Sequence, residues 1–87
     1  MADWEHFRDG SYCHKSSKGR IELSKNISSG SECMALGSTN LKSYVSFMIE
    51  PNNDKSGSHC FGYDSCVSYT PNSNYKTYAR RSPLGNF

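Results

Sequence analysis

Residues 20–25 read Arg20-Ile21-Glu22-Leu23-Ser24-Lys25, and residues 43–49 read Ser43-Tyr44-Val45-Ser46-Phe47-Met48-Ile49. The first alternates polar and apolar side chains, the pattern of a half-buried strand, and points Ile21 and Leu23 inward. The second is the most apolar stretch of the chain and sets Val45, Phe47 and Ile49 on one face of a strand. Further strands are expected over His59 to Tyr63, Ser65 to Thr70 and Tyr75 to Arg81. The last has Tyr75, Thr77 and Ala79 on one face and Lys76, Tyr78 and Arg80 on the other. Turn formers punctuate these segments: Asp9-Gly10, Asn26 to Ser31, Pro51 to Gly57 and Pro71 to Asn74. Helical periodicity is nearly absent. A short turn over Asp3 to Arg8 is the exception, with Asp3 as N-cap, so residues 1–10 read as a flexible or helical arm. The expectation is one all-β domain over residues 1–87, a sandwich or barrel.

With 87 residues, 34% hydrophobic, and a mean hydropathy of -0.75, the chain has a thin apolar interior. A core this small calls for a covalent staple. Cys13, Cys33, Cys60 and Cys66 supply it as two disulfides. Four cysteines allow three pairings, of which 13–33 with 60–66 is favoured. Disulfides imply an extracellular setting, although residues 1–12 hold no apolar segment of a signal peptide, which is therefore expected to have been removed. No run is long enough to cross a membrane as a helix. A monomer is expected. Asn26-Ile27-Ser28 is a glycosylation sequon, relevant only in a eukaryotic source.

A net charge of +2 is too small to imply nucleic acid as partner. Its distribution is uneven. Lys15, Lys18, Arg20 and Lys25 face only Glu22 in their stretch, and Lys76, Arg80 and Arg81 follow the last acidic residue, Asp64. Ordinary solvated faces account for both groups more simply than ligand sites do.

The spacings resemble those of small secreted βγ-crystallin-like bacterial proteins: the Streptomyces killer-toxin-like and antifungal proteins and related metalloproteinase inhibitors. The match begins at Cys13 and Cys33, which flank the strand Arg20-Ile21-Glu22-Leu23, and continues through Met34-Ala35-Leu36-Gly37. Val45-Ser46-Phe47-Met48 then leads to Pro51-Asn52-Asn53, and Tyr69 to Tyr75 resembles the family's tyrosine corner. The likeness covers about residues 13–60. Departures are a corner one residue longer, Thr77 where the family's hairpin has glycine, and no tryptophan near Val45. The resemblance implies a Greek-key β-sandwich with Cys13 bonded to Cys33, and a toxin-like or antifungal role on a cell-wall glycan or cell-surface target.

Candidate chemistry is sparse. Asn53, Asp54, Ser56 and Ser58 resemble a crystallin-type calcium loop, but Gly57 interrupts it and carboxylates are few, so any calcium site is weak and no cofactor is expected. Zinc is disfavoured because no Cys or His pair has clip spacing. A small secreted ribonuclease would need His, Glu and Arg together. Glu5, His6, Arg8, His14 and His59 are the right types, yet no spacing unites them. With no nucleophile motif either, the chain reads as a non-enzyme. Six tyrosines are many for so small a core, and tyrosine suits glycan and protein surfaces. The cluster Tyr75, Lys76, Tyr78, Arg80 and Arg81 is the leading binding candidate. A protease inhibitor or host-directed effector presenting Pro51 to Ser58 or Pro71 to Tyr75 as a rigid loop is the alternative binding role.

Overall fold

The computed structural model describes residues 4–48 and 58–81. The elements are β1 (Trp4–Cys13), β2 (Ile21–Ser24), α1 (Gly30–Thr39), β3 (Tyr44–Phe47), β4 (Cys60–Tyr63) and β5 (Tyr69–Arg80). The strands form one five-stranded sheet in the order β1-β5-β3-β4-β2, and every neighbouring pair is antiparallel. β2 and β3 therefore run parallel with β4 between them, and α1 makes the crossover that parallel strands require. The all-β expectation holds for the sheet. The expected sandwich partner does not form among the described residues; α1 covers one face instead.

From Trp4 onward the expected helical or loose arm is instead edge strand β1, and Trp4 is buried against α1 with its indole Nε1 donating to Ser38 Oγ at 3.0 Å. The helix itself was unforeseen because its sequence, Gly-Ser-Glu-Cys-Met-Ala-Leu-Gly-Ser-Thr, carries no clear amphipathic stripe. Its start was nevertheless written in Ser29-Gly30-Ser31-Glu32. Ser29 Oγ accepts from Glu32 N at 3.2 Å, and the Glu32 carboxylate returns to Ser28 N at 2.9 Å, a variant of the capping box. Its end is a Schellman turn: Lys42 N donates to Gly37 O and Leu41 N to Ser38 O, with Leu41 at φ 58.

Trp4, Ile27, Cys33, Met34, Val45, Phe47 and Cys60 form the core between helix and sheet. The approach is close. A Cβ on Gly37 would stand 2.5 Å from Val45 Cγ1, so a larger residue there would push the helix off the sheet. Val45 and Phe47 point inward as expected, whereas Ile21, at the edge, is 40% exposed.

The second face is covered differently. Arg8 pairs with Thr77. A straight strand would carry Cys13 roughly 17 Å beyond that point. Instead, Cys13 N donates to Ser46 Oγ on β3, two strands away, at 3.3 Å. The β1–β5 ribbon thus folds back over the sheet. The bend lies where Asp9 pairs with Lys76 but Ser11 pairs with Pro71, leaving residues 72–75 opposite Gly10 alone. Gly10 takes φ 73, a conformation that a side chain disfavours. The expected turn at Pro71 to Asn74 is therefore a wide bulge inside β5, with Asn72 Oδ1 accepting from Asn74 N at 3.0 Å. The strand expected at Ser65 to Thr70 begins only at Tyr69, and 64–68 is the connector from β4.

The disulfides differ from the favoured pairing. Cys13 bonds Cys66, and Cys33 bonds Cys60. The first ties the returned ribbon to the β4–β5 connector; the second ties α1 to β4. The fold brings β1's far end over β3 and sets α1 on β4, so Cys13 and Cys33 do not meet. In the chain-entropy model each cross-link stabilises by about 4 kcal/mol.

Beneath the ribbon lies a relay of buried hydrogen bonds: Cys13 N to Ser46 Oγ, Ser46 Oγ to Thr77 Oγ1 at 2.8 Å, and Thr77 Oγ1 to Ser11 O at 3.0 Å. Thr77 and Ser46 are both fully buried. Thr77→Val keeps the shape but strands two buried partners, so it is expected to lower unfolding stability by about 1–3 kcal/mol. Urea denaturation measures it, and an unchanged midpoint would count against the relay.

Candidate functional site

The leading cluster of the sequence reading is split by the pleat of β5 and by the bulge beside it. Tyr78 faces α1, stacks on Phe47 with centroids 5.7 Å apart and meets His6 edge-on. Arg80 serves the fold. Its guanidinium lies 4.8 Å over the Trp4 ring, and its nitrogens donate to Lys42 O at 3.0 Å and Gly37 O at 3.4 Å. It thereby neutralises carbonyls at the end of α1. Lys76 pairs with Asp9 at 3.3 Å, and Arg81 lies 3.8 Å from Glu5, both in solvent. Hydrogen bonds from His6 and then Lys76 hold the Asp9 carboxyl below its ordinary range. Tyr75 packs instead beside Tyr12, with centroids 4.7 Å apart. Burial pushes its phenol upward, as it does that of Tyr63. These five residues do not make one surface.

Of the calcium candidates, Asn53, Asp54 and Ser56 lie outside the described residues. Ser58 is buried, and its carbonyl accepts from Ile27 N at 3.2 Å. Among the described residues no three His, Cys, Asp or Glu side chains gather as a metal site. All four cysteines are oxidised, which removes thiolate ligands for zinc.

A cleft of about 260 Å³ opens where β3 begins and β4 and β5 end, lined by Ser43, Tyr44, Asp64, Ser65, Ala79 and Arg80. The Tyr44 ring continues into an aromatic row, 5.5 Å from Phe7, which is 6.0 Å from Tyr69. Arg8 lies 3.9 Å over Tyr69. Lys42 Nζ bonds Asp64 Oδ1 at 3.2 Å and Gly19 O at 2.7 Å, fixing the carboxylate at the rim. The cleft thus joins an aromatic wall to a carboxylate, hydroxyl groups and a guanidinium. Tyr44 and Asp64 sit far apart in sequence, so only the β3–β4 pairing could have united them; Arg80 alone of the cleft's lining stood among the binding candidates.

Two further features lie outside it. Val67, in the β4–β5 connector, is 87% exposed, although its neighbour Cys66 is buried in a disulfide. On the edge of the sheet, His59 Nδ1 lies 3.2 Å from Glu22 Oε2. This His–Glu pair is one that the sequence did not bring together, since the β2–β4 register makes it.

No family model, no curated protein and no solved structure matches the chain. No helix among the described residues is long and apolar enough to cross a membrane.

Proposed function

We propose that the protein is an extracellular binding protein that holds a cell-wall or cell-surface glycan in the Tyr44 cleft. The observation that carries this reading is a cleft with room for about one sugar ring that Tyr44 and Asp64 both line. An aromatic ring takes the apolar C–H face of a sugar, while a carboxylate and hydroxyls take its O–H groups. The fixed aromatic row beyond Tyr44 extends the platform for a second unit. Two disulfides favour the extracellular setting. A toxin-like or antifungal action belongs to this reading through the crystallin-like spacings. One of those spacings, Cys13 to Cys33, does not correspond to a disulfide here.

Retention on chitin or β-glucan is the test. Asp64→Asn, which keeps the shape of the side chain, and Tyr44→Ala should each weaken retention by about tenfold, the worth of one hydrogen bond to a charged group or one aromatic contact. Failure of the parent protein to bind either polysaccharide, or full binding by Asp64→Asn, refutes the cleft assignment.

Val67 favours a second reading, a protease inhibitor. Its backbone is clamped on both sides: Cys66 by the disulfide and by Tyr69 Oη at 3.4 Å from its carbonyl, Ser68 through its carbonyl by His14 N at 2.9 Å. A rigid loop presenting a small aliphatic side chain suits a protease with a small specificity pocket. The loops expected for this role lie elsewhere, Pro51 to Ser58 mostly outside the described residues and Pro71 to Tyr75 within β5. Micromolar inhibition of an elastase-type protease, shifted by Val67→Arg to one that cleaves after arginine, is the expected result. Inhibition of neither enzyme eliminates this role.

A further inference from the structure

The basic stretch 15–25 and the His59–Glu22 pair have no part in the cleft or the loop. Register places them together. Glu22 pairs with Phe61, and Phe61 with Ser46, so these three share the face away from α1. Arg20 precedes Glu22 by two positions and His59 precedes Phe61 by two, which puts both near that same face. The contacts agree. The Arg20 guanidinium lies 4.6 Å over the Phe61 ring, and the His59 ring lies 6.1 Å from it. Against the larger effect of burial, the positive charge of Arg20 pulls the Tyr63 and Tyr75 phenols down, and Glu22 pushes that of Tyr75 up.

We propose that this edge of the face away from α1 binds a phosphate ester, with Arg20 and His59 holding the oxyanion and the Tyr12–Tyr75 ring pair flanking the organic group it carries. Stacking fixes the plane of the Arg20 guanidinium through its face and leaves its N–H edge, the part that forks onto a phosphate. Among the described residues no carboxylate forms an ion pair with Arg20. Glu22 is engaged with His59, 3.2 Å from Nδ1; with the ring protonated, Nδ1 donates to the carboxylate and Nε2 is a second donor. Lys15, Lys18 and Lys25 are exposed along the same stretch and add positive potential without a fixed geometry. Both His59 and Glu22 keep about a third of their side-chain surface in solvent, so a ligand can reach the pair. The ester's organic group is a nucleoside or a sugar; the phosphate is common to both.

The experiment is an NMR titration of the oxidised full chain with inorganic phosphate, adenosine 5′-monophosphate and glucose 6-phosphate. Saturable shifts at Arg20 Nε, at the His59 ring and at the Phe61 amide are expected with all three. Arg20→Gln should weaken inorganic phosphate by tenfold or more, the usual effect of one charge-assisted hydrogen bond. His59→Gln should weaken it by a smaller factor. Arg20 is exposed, so an unchanged unfolding midpoint separates loss of the site from loss of the fold. Tighter binding of the nucleotide with movement of the Tyr12 and Tyr75 ring signals identifies a nucleoside ester; tighter binding of glucose 6-phosphate identifies a sugar ester. Equal affinity of Arg20→Gln and the parent protein, or unsaturable shifts centred on the lysines, would overturn the site.

Discussion

Cys13 must cross back over a sheet whose edge it left five residues earlier, and the bond to Cys66 holds it there. The rest of the molecule depends on that reversal. An open sheet face in so polar a chain would leave Tyr63 and the Ser46–Thr77 pair in water, because the helix supplies cover for the other face only. The returning ribbon supplies the missing layer. Gly10 and the bulge at 72–75 make the bend geometrically possible. The disulfide makes it persist, since a two-stranded ribbon on its own is marginal in water.

The interior this creates is unusual in being polar. Cys13, Tyr63 and Cys66 form a small apolar cluster with Tyr44, Phe61 and Tyr69 around it, but the floor beneath is a line of hydroxyls. Such a floor is tolerated because each donor in the relay has an acceptor, and it gives the ribbon one register rather than several. Thr77 makes sense in this light. It is a buried threonine bonded to two partners. Packing the ribbon this way also sets Tyr12 beside Tyr75 and aims Val67 outward from a buried cystine.

Much of the sheet was legible from alternation alone: β2, β3 and β4 fall within the expected segments, and Val45 and Phe47 face the core. Turn chemistry was legible too, since Asp9-Gly10 and Pro71 to Asn74 mark the bend, though as a bulge rather than a turn. The helix was not, because Gly30 and Gly37 face the sheet where an amphipathic pattern would place large residues, so close approach takes the place of a stripe. The disulfide pairing was not legible either. The favoured 13–33 and 60–66 pairing fails because the sheet order interleaves late strands among early ones. The same interleaving hid the candidate sites. Tyr44 with Asp64, and Glu22 with His59, meet only through long-range register, while the aromatic and basic run of β5 was divided between the helix side and the ribbon.

The Cys13–Cys66 bond, more than the apolar core, keeps the ribbon on the sheet. Amide hydrogen exchange on a Cys13→Ser/Cys66→Ser double variant tests it most directly. The amides of Tyr12, residue 13, Tyr69 and Thr70 should lose protection while those of α1 and β3 keep theirs. Protection unchanged across the ribbon would contradict it, as would uniform loss across the whole molecule.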